Sequence, residues 1–535
     1  MKDLAAVVAT DAVAPVPHGA RDATRRGAKH LLFAFSLANL VLAGSWFPLL
    51  SDADHGYFNK TRVDGPSLAA LLLNLFGMTL LFWGATSFVN RTPKAGLRFA
   101  GHLAFLLVLL IPIDFARSNL LGIPDFRMVA WARTPLGWLA AGLVAGLVCW
   151  QHLRVARLLA VGVGLLSPLA LFTLARVLLL LLGVTHLRQH AEDPARAPLL
   201  PVRPDLPRVV WLVFDELDQR LTFERRPDSV SLPALAELSR QALVATNAYP
   251  PGDATVISMP ALITGIPLAT VKVAGPSELD LTREADDETV PWSRQSSVFS
   301  RARALGANTA LVGWYHPYSR LLAPALSYCE WQPLPSFDPV GADRFSVALG
   351  RQWQNLLQPV HLRRLFIDIC QSGDRQAQAL AADPTYQVML LHLGPPHKPA
   401  VYLAAEDRFT PWGVPKVPGY FQSLMLVDRI IQRTRAAIRQ AGLDSRTWLI
   451  VSSDHWWREA EVHDGHLDHR VPFLVCPPGG HAGENFAGIL NTVVTHDLIL
   501  AILQREVTDV ASVRQWLEPR QLPAPPAYRY RHSEQ

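Results

Sequence analysis

Residues 208–216 read RVVWLVFDE, an apolar and β-branched run that ends in Asp215 and Glu216. Four similar runs follow, at 309–312, 386–392, 447–451 and 471–475, with helical patterns between them at 232–243, 297–305 and 422–440. Short apolar strands that alternate with helices predict an α/β domain with a mainly parallel sheet. Ligands of such sheets bind beyond the carboxyl ends of the strands, so functional residues are expected directly after these runs.

Two of these runs end in residues that bind metals. The first is followed by Asp215 and Glu216, and the run TWLIV at 447–451 is followed within a few residues by Asp454 and His455. A carboxylate beside a buried strand is costly unless it is paired or binds a cation, and Asp with His favours Zn²⁺ over Mn²⁺ or Mg²⁺. Each acid alone also fits an exposed turn. Three more histidines follow: His463, His466 and His469. This clustering predicts a divalent-metal site.

A candidate nucleophile, Thr255, lies in the segment YPPGDATVISMPALITG at 249–265. A Pro/Gly turn there leads into an apolar helix that we expect to begin near Ser258–Pro260. A hydroxyl beside a helix N-terminus lies near unpaired N–H groups, a position that suits phosphate. A bound metal would lower the pKa of the hydroxyl and make it a nucleophile. The alternative is that Thr255 or Ser258 only caps the helix.

The first third of the chain carries long apolar runs. Of the 535 residues, 50% are hydrophobic and 18% are charged, below the roughly 25% charged residues of soluble domains. Five predicted membrane spans cover 31–50, 67–89, 99–115, 136–150 and 158–184. Five runs do not fit a cleavable signal peptide, which has one. The expected domains are a cytoplasmic tail at 1–30, a five-helix transmembrane bundle at 31–185, a linker at 186–207 and a catalytic domain at 208–535.

The distribution of Lys and Arg predicts the orientation of the spans. Short basic segments precede the first span and separate the second from the third and the fourth from the fifth. This bias places the N-terminus in the cytoplasm, so an odd number of spans puts the catalytic domain outside it, in the periplasm. If one weak span were instead a surface helix, the orientation of the rest would invert.

Composition excludes other classes of protein. The net charge is +5, but the basic residues are scattered and form no aromatic-basic stripe of a nucleic-acid face. The four cysteines lack the spacing of a zinc ribbon or a disulfide scaffold. Only Cys329 and Cys370 are placed so that they could pair, because Cys149 lies in a predicted span and Cys476 in a predicted strand.

Five motifs occur in an order that resembles the alkaline phosphatase/sulfatase superfamily: Asp215-Glu216 after a strand, TVISMPALITG, GWYHPY, LGPPHKP and SSDHWW. The resemblance covers about residues 208–504. Sulfatases have a Cys, oxidised to formylglycine, where this sequence has Thr255. Thr-x-x-Ser-x-Pro is similar to the nucleophile motif of lipid A phosphoethanolamine transferases, and lipoteichoic acid synthases also use Thr there. Both groups have five membrane spans ahead of an extracytoplasmic catalytic domain.

The resemblance implies roles for individual residues. Thr255 is the nucleophile and a metal ligand, Asp454 and His455 are ligands, and either Asp215 or Glu216 is the acid from the first strand. His466 or His469 completes the metal shell. His397 and His316 match family histidines that contact the transferred group or move protons.

Departures from the family motifs concern substrate recognition. Trp314 replaces the sulfatase Lys that binds sulfate, and Trp456 replaces the Gly that follows Ser-Asp-His. An aromatic wall favours a sugar ring or a cationic ethanolamine head, or else is ordinary packing. Trp314, Lys398 and Trp456 are the candidate substrate-binding residues. The disulfide-rich loops of lipid A transferases are missing, which leaves a glycan acceptor open.

The sequence therefore predicts a metal-dependent enzyme of a bacterial inner membrane. It would move a phospholipid head group, preferably phosphoethanolamine, to an envelope glycan or lipid acceptor through a phosphothreonine intermediate. The alternatives are a periplasmic hydrolase that acts on phosphate or sulfate esters with the same site, and a non-catalytic scaffold in envelope polysaccharide assembly. Nucleic acid is not expected as a partner, and no protein partner is predicted.

Overall fold

The computed structural model describes residues 20–51, 56–61, 63–121, 123, 134–186, 193–479 and 482–528. Most of the predicted cytoplasmic tail and part of the predicted linker (187–192) lie outside these residues. The first helix begins at Ala20, inside the predicted tail. Residues 193–207 connect the membrane part to the catalytic domain without forming a helix or strand.

The N-terminal part is helical. Its helices are α1 (Ala20–Val41), α2 (Ala43–Leu50), α3 (Gly65–Arg91), α4 (Ala95–Phe115, extended by a π-helical turn at Ala116–Leu120), α5 (Pro135–Trp150), α6 (His152–Leu165) and α7 (Ser167–Leu181). The inner faces of these helices share an apolar core, in which Phe33, Leu37 and Leu75 are buried. Their outer faces carry exposed Leu, Phe and Trp side chains, as expected of helices that face lipid.

The structure supports fewer membrane spans than the five predicted. By length and composition, three helical stretches of the described residues could cross a membrane, Gly65–Arg91, Ala95–Leu120 and His152–Leu181. A fourth is counted if Gly27–Val41 and Ala43–Leu50, which are bent by 69° against each other, form one span. The predicted span at 136–150 forms α5, which has 16 residues. That is short of the ~20 needed to cross the hydrocarbon core.

The catalytic domain is built on an eight-stranded sheet. Its strands, in spatial order, are β14 (Glu484–Phe486), β2 (Leu243–Ala245), β13 (Phe473–Cys476), β12 (Thr447–Ser453), β1 (Arg208–Asp215), β9 (Val388–Pro396), β7 (Thr309–Trp314) and β8 (Tyr328–Gln332). The strands from β12 to β8 are parallel, and β13 is antiparallel to both of its neighbours. This confirms the predicted α/β class.

Helices cover both faces of the sheet. The helices of this domain are α8 (Pro233–Ser239), α9 (Thr255–Thr264), α10 (Val298–Ala304), α11 (Tyr318–Leu322), α12 (Phe345–Gln354), α13 (Gln358–Ala382), α14 (Lys416–Gln440), α15 (Glu461–Asp464), α16 (Thr495–Leu503) and α17 (Val510–Leu517). Of these, α12 packs on the membrane part and not on the sheet. Smaller strands form side pairs and a three-stranded sheet: β3 (Ala248–Tyr249), β4 (Leu268–Gly275), β5 (Glu278–Arg283), β6 (Thr289–Pro291), β10 (Tyr402–Leu403), β11 (Arg408–Phe409) and β15 (Leu490–Asn491). Every residue of β1 is buried, because apolar side chains pack on both sides of it.

Two segments join the membrane helices to the catalytic domain. Residues 56–61, in the connection between α2 and α3, enter the catalytic domain, and Tyr57 and Phe58 are buried there. Conversely, α12 of the catalytic domain packs against α3 of the membrane part. The cysteines contribute no bond to this arrangement: Cys329 and Cys370, the predicted possible pair, are buried free thiols.

Candidate active site

The carboxyl ends of three neighbouring strands form the centre of the site. β1 pairs in parallel with β12 and β9, which sets Phe214 opposite Ser453 and Val213 opposite His392. Asp215, His392 and Asp454 therefore converge, and one ligand atom of each lies within 4.8 Å of the others. All three side chains are buried.

The end of β1 is shaped so that its acids can turn away from the strand. The pairing of β1 with β9 shifts register between Phe214 and Asp215, and Glu216 has a φ of 63°, in the left-handed region. Ser453 Oγ donates a hydrogen bond to the Phe214 carbonyl at 2.6 Å, which ties β12 to the same point. Irregular backbone at a strand end thus directs Asp215 towards Asp454.

Thr255 joins this group as the first residue of α9. Its Oγ1 donates to Asp454 Oδ2 at 2.7 Å and lies 3.3 Å from Asp215 Oδ2 and 3.4 Å from His455 Nε2. The turn before it is tight, because a Cβ on Gly252 would lie 2.8 Å from the Ile257 side chain. The structure therefore brings together four of the residues singled out in the sequence: Asp215, Thr255, Asp454 and His455.

The pKa shifts of the ionisable side chains in this group indicate a cation site. Burial, reinforced by the neighbouring Asp454 carboxylate, raises the pKa of Asp215 well above its ordinary value. Burial also raises the pKa of Asp454 to about 7, although the hydrogen bond from Thr255 acts in the other direction. Burial lowers the pKa of His392 and of His455, so both rings are neutral. Two close carboxylates with neutral imidazoles are the ligand set of a divalent metal.

Buried polar atoms that lack hydrogen-bond partners also indicate a metal site here. Asp215 Oδ1 and His392 Nε2 are buried and have no hydrogen-bond partner. His392 Nδ1 is held by the Tyr318 hydroxyl at 2.9 Å, which leaves Nε2 facing Asp454 Oδ2 at 4.0 Å. An ion bound between these atoms would satisfy them, so the residues present fit a metal.

Three other predicted ligands lie apart from this group. Glu216 is buried, and its Oε1 lies 3.3 Å from Arg458 Nε. The backbone carbonyl of His466 accepts from Arg220, and its side chain is exposed. The ring of His469 packs on Trp456 with a centroid distance of 4.3 Å.

The two predicted catalytic histidines have different surroundings. His316 is fully buried, and its Nε2–H donates to the Thr255 carbonyl at 3.1 Å while Nδ1 accepts from the Tyr57 hydroxyl at 2.8 Å. Both nitrogens are therefore engaged, and burial lowers the pKa of His316 to about 4. His397 Nδ1 donates to the Lys398 carbonyl at 2.5 Å, so Nε2 is the nitrogen that takes up or gives a proton, and burial lowers the pKa of this ring.

Of the three predicted substrate-binding residues, two are buried and one is exposed. Trp314 is 1% exposed and packs against the rings of His397 and His392, with centroid distances of 5.2 and 6.4 Å. Trp456 is 0% exposed, so neither indole forms an open aromatic wall. Lys398 is exposed and pairs with Glu459 at 3.2 Å.

Three residues of the site were not identified from the sequence. His392 is the last residue inside the predicted run at 386–392 and lies within β9, which continues to Pro396, so a rule about residues after each run passed over it. Arg458, the partner of Glu216, directly follows SSDHWW in the sequence. The sequence shows it only as a charged residue after the motif and gives it no role. Tyr57 gives no local signal, because its partner His316 is 259 positions away in the chain.

One family of known proteins matches the chain in sequence. Residues 209–466 match the family model of type I phosphodiesterase / nucleotide pyrophosphatase. The resemblance to the alkaline phosphatase/sulfatase superfamily is thereby confirmed. The matched segment contains all five residues that converge at the strand ends: Asp215, Thr255, His392, Asp454 and His455. No curated protein matches the chain in sequence.

Several solved structures are similar to the catalytic domain. Ps i-CgsB in complex with k-i-k-neocarrahexaose has 15% identity and a TM-score of 0.41, over 56% of this chain and 73% of that one. An alkaline phosphatase superfamily protein from Vibrio parahaemolyticus has 13% identity and a TM-score of 0.38, over 57% and 68%. The phosphonate monoester hydrolase SpPMH from Silicibacter pomeroyi has 14% identity and a TM-score of 0.36, over 56% and 73%. Similarity of this degree carries no argument about substrate.

Proposed function

We propose that this protein is a metal-dependent phosphotransferase of a bacterial inner membrane, with its catalytic domain in the periplasm. Its donor is a membrane phospholipid, preferably one with a phosphoethanolamine head group, and its acceptor is an envelope glycan or lipid. The observation that carries the proposal is the position of Thr255 Oγ1, 2.7 Å from Asp454 Oδ2 and 3.4 Å from His455 Nε2. A buried hydroxyl between a carboxylate and an imidazole is the arrangement of an activated nucleophile.

The metal would be held by Asp215, His392, Asp454 and His455 together with the Thr255 hydroxyl. Zn²⁺ fits this mixture of carboxylate and imidazole ligands best, and Mn²⁺ or Mg²⁺ is the alternative. When bound, the ion would supply Lewis-acid stabilisation of the phosphoryl oxygens and a lower pKa for the threonine hydroxyl.

The first step forms a phosphothreonine. Thr255 Oγ1, held against Asp454 Oδ2, attacks the phosphorus of the donor as the alkoxide, its proton having gone to solvent. A bond forms between phosphorus and Oγ1, and the bond between phosphorus and the glycerol oxygen breaks. His397 in its protonated form gives the leaving oxygen a proton, which releases diacylglycerol.

The second step returns the enzyme to its starting state. An acceptor hydroxyl attacks the phosphorus and gives its proton to His397 Nε2. The bond between phosphorus and Thr255 Oγ1 breaks, and the threonine oxygen leaves as the alkoxide that attacked in the first step. The head group is now on the acceptor, and His397 carries its proton again.

The backbone around Thr255 suits a phosphoryl group. Thr255 is the first residue of α9, and the first intrahelical hydrogen bonds of this helix start at Ile257 and Ser258. The N–H groups of Thr255 and Val256 precede those bonds, at the positive end of the helix dipole. Such a helix start stabilises negative charge on a phosphoryl group.

The attached membrane helices favour a lipid as donor. They hold the catalytic domain at the surface where phospholipid head groups are concentrated, which raises the effective concentration of such a donor. The positive-inside bias of the sequence places the N-terminus in the cytoplasm. A periplasmic catalytic domain then requires an odd number of spans, which the three full-length helical stretches provide, whereas counting the bent pair as a fourth span would put the domain in the cytoplasm.

A phosphoester hydrolase is the second candidate, and the match to the type I phosphodiesterase / nucleotide pyrophosphatase model favours it. In a hydrolase, water would take the place of the acceptor hydroxyl in the second step. A non-catalytic scaffold is disfavoured, because it would have no need of a buried threonine, two acids and two histidines that converge.

One experiment separates the candidates. The full chain is reconstituted in nanodiscs that contain phosphatidylethanolamine labelled in its head group, with Zn²⁺ and without an acceptor. A transferase accumulates label on Thr255, detected by intact mass and peptide mapping, whereas a hydrolase releases labelled phosphoethanolamine or phosphate continuously. Absence of both label on the protein and released product would contradict the proposal.

A further inference from the structure

A segment of the catalytic domain runs along the membrane helices. It comprises α12 and the turn that follows it, residues 345–357, and is called the 345–357 arm here. The arm precedes α13, which leads back to the sheet, where Phe366, Cys370 and Ala377 are buried in the core of the catalytic domain. The arm is thus a loop out of the catalytic domain towards the membrane part.

Polar contacts fix how far the arm reaches. Asn74 Nδ2 donates to Gln352 Oε1 at 2.9 Å, and Gln352 Nε2 donates to the Ser67 carbonyl at 3.1 Å. Asn355 Nδ2 reaches the Gly44 carbonyl of α2 at 2.8 Å. All of these side chains are buried. Polar groups that satisfy one another in this way are typical of helix contacts within a membrane.

The position of Asn74 sets a depth. The 27 residues of α3 span about 40 Å, the thickness of a bilayer with its head-group regions. Asn74 is the tenth residue of α3, about 14 Å along the helix from its first residue. The partner of Asn74 on the arm therefore lies at the level of the hydrocarbon and not of the head groups.

The side of the arm that faces away from α3 is uncovered and carries large apolar side chains. Phe345 is 41% exposed, Trp353 45% and Leu357 65%, with the polar Ser346 and Gln354 exposed between them. Val347 instead lines a cavity with the charged residues Asp343, Arg344 and Arg351. The neighbouring surface of α3 is also apolar and exposed, at Leu73 and Phe76. The charged Arg351 on the arm does not point outward, because its guanidinium donates to the Gly341 carbonyl.

We infer that the 345–357 arm is embedded in the lipid leaflet on the side of the catalytic domain, as an extra helix of the membrane part that does not cross it. The acyl chains of that leaflet cover the exposed face of the arm, because this face is continuous with the lipid-facing surface of α3. The catalytic domain is then attached to the bilayer by the arm as well as by the linker.

Spin labels test this in the full-length protein in nanodiscs. In a Cys149→Ser background, Trp353→Cys and Leu357→Cys are labelled, with Val462→Cys as the control, since Val462 is 59% exposed on α15 of the catalytic domain. The ratio of relaxation by oxygen to relaxation by a water-soluble nickel complex is expected to be severalfold higher at 353 and 357 than at 462. A ratio equal to that at 462 would overturn the inference. Low accessibility to both reagents would also overturn it, because it would mean that a second protein chain covers the arm. Neither readout depends on catalysis.

Discussion

The Tyr57 hydroxyl lies 2.8 Å from Nδ1 of His316, whose other nitrogen donates to the Thr255 carbonyl at 3.1 Å. Tyr57 belongs to the connection between α2 and α3, so a residue of the membrane part reaches the backbone of the nucleophile through one imidazole. The guanidinium of Arg320 holds this connection by hydrogen bonds to the carbonyls of Gly56, Tyr57 and Asn59. We expect this chain of contacts to position Thr255.

Tyr57→Phe tests the positioning role. The variant keeps the buried ring but leaves His316 Nδ1 without a partner, which costs about 1–3 kcal/mol. We expect kcat to fall by roughly tenfold with KM unchanged, because the contact lies behind the nucleophile and away from substrate. Lys60→Met is the control: it removes an ion pair of the same connection, with Glu330, and is expected to keep kcat. Equal kcat in both variants would contradict the role.

Thr255→Ala tests the nucleophile. Loss of Oγ1 removes the only atom that forms a bond to phosphorus, and we expect kcat to fall by roughly 10³-fold or more. Ser258→Ala, which removes a buried hydroxyl from the same helix, should stay within a few-fold of the parent protein. Head-group transfer in nanodiscs is measured, with thermal unfolding of both variants as the check on folding. Persistent transfer by the Thr255 variant would end the covalent mechanism.

His392→Ala tests the ligand that the strand geometry adds. Its Nε2 is buried and faces Asp454, so we expect the affinity for Zn²⁺ to drop by at least about tenfold. The control is His466→Ala, because His466 is exposed and outside the converging group. Elemental analysis after dialysis against buffered Zn²⁺ gives the occupancy. If His466→Ala lost the metal and His392→Ala kept it, the ligand set would need revision.

The pH dependence of metal-free protein follows from Asp454, whose pKa is raised to about 7 from 3.8. A raised pKa means that the folded state holds the proton more tightly than the unfolded state. This contribution to stability is complete below pH 3.8 and is lost as pH rises through 7. The free energy of unfolding of the metal-free protein is therefore expected to fall between pH 6 and pH 8.

Bound metal should reverse that trend. Metal binding replaces the proton on Asp454, so the rise in unfolding temperature on adding Zn²⁺ is expected to be larger at pH 8 than at pH 6. Asp454→Asn should remove the response to Zn²⁺ and reduce the pH trend to the part that Asp215 contributes, whereas Asp286→Asn, at an exposed surface acid, should preserve both. A response to Zn²⁺ that is the same at both pH values would refute the assignment.

The fold and much of the site were predictable because they depend on local patterns. Each of the five predicted strands is present, with ends shifted by a few residues, since runs of buried apolar residues specify strands of a covered sheet. Asp215, Asp454 and His455 lie at or just after strand ends, so a rule about strand ends was enough to single them out. The helix beside Thr255 begins at Thr255 and not near Ser258–Pro260 as predicted, and the role of this residue came from the family resemblance.

The remainder depends on contacts that are distant in sequence. The burial of Trp314 and Trp456 follows from packing against His397 and His469, which no spacing reveals. The predicted helix at 232–243 ends at Ser239, because Leu243 joins strand β2 beside β13. The fourth predicted span forms the short helix α5, and hydropathy alone did not reveal that its helix stops at 16 residues.

The insertion of residues 56–61 into the catalytic domain affects whether proteolysis can release that domain from the membrane part. A protease that cut the exposed segment at 193–207 would sever the covalent tether, yet the stacked rings of Phe58 and Phe337 and the contacts of Arg320 would still hold the two pieces together. A fragment that did escape would leave Tyr57 behind. If the protein acts as proposed, a single cleavage at 193–207 would not release an active enzyme, and catalysis would stay at the bilayer surface.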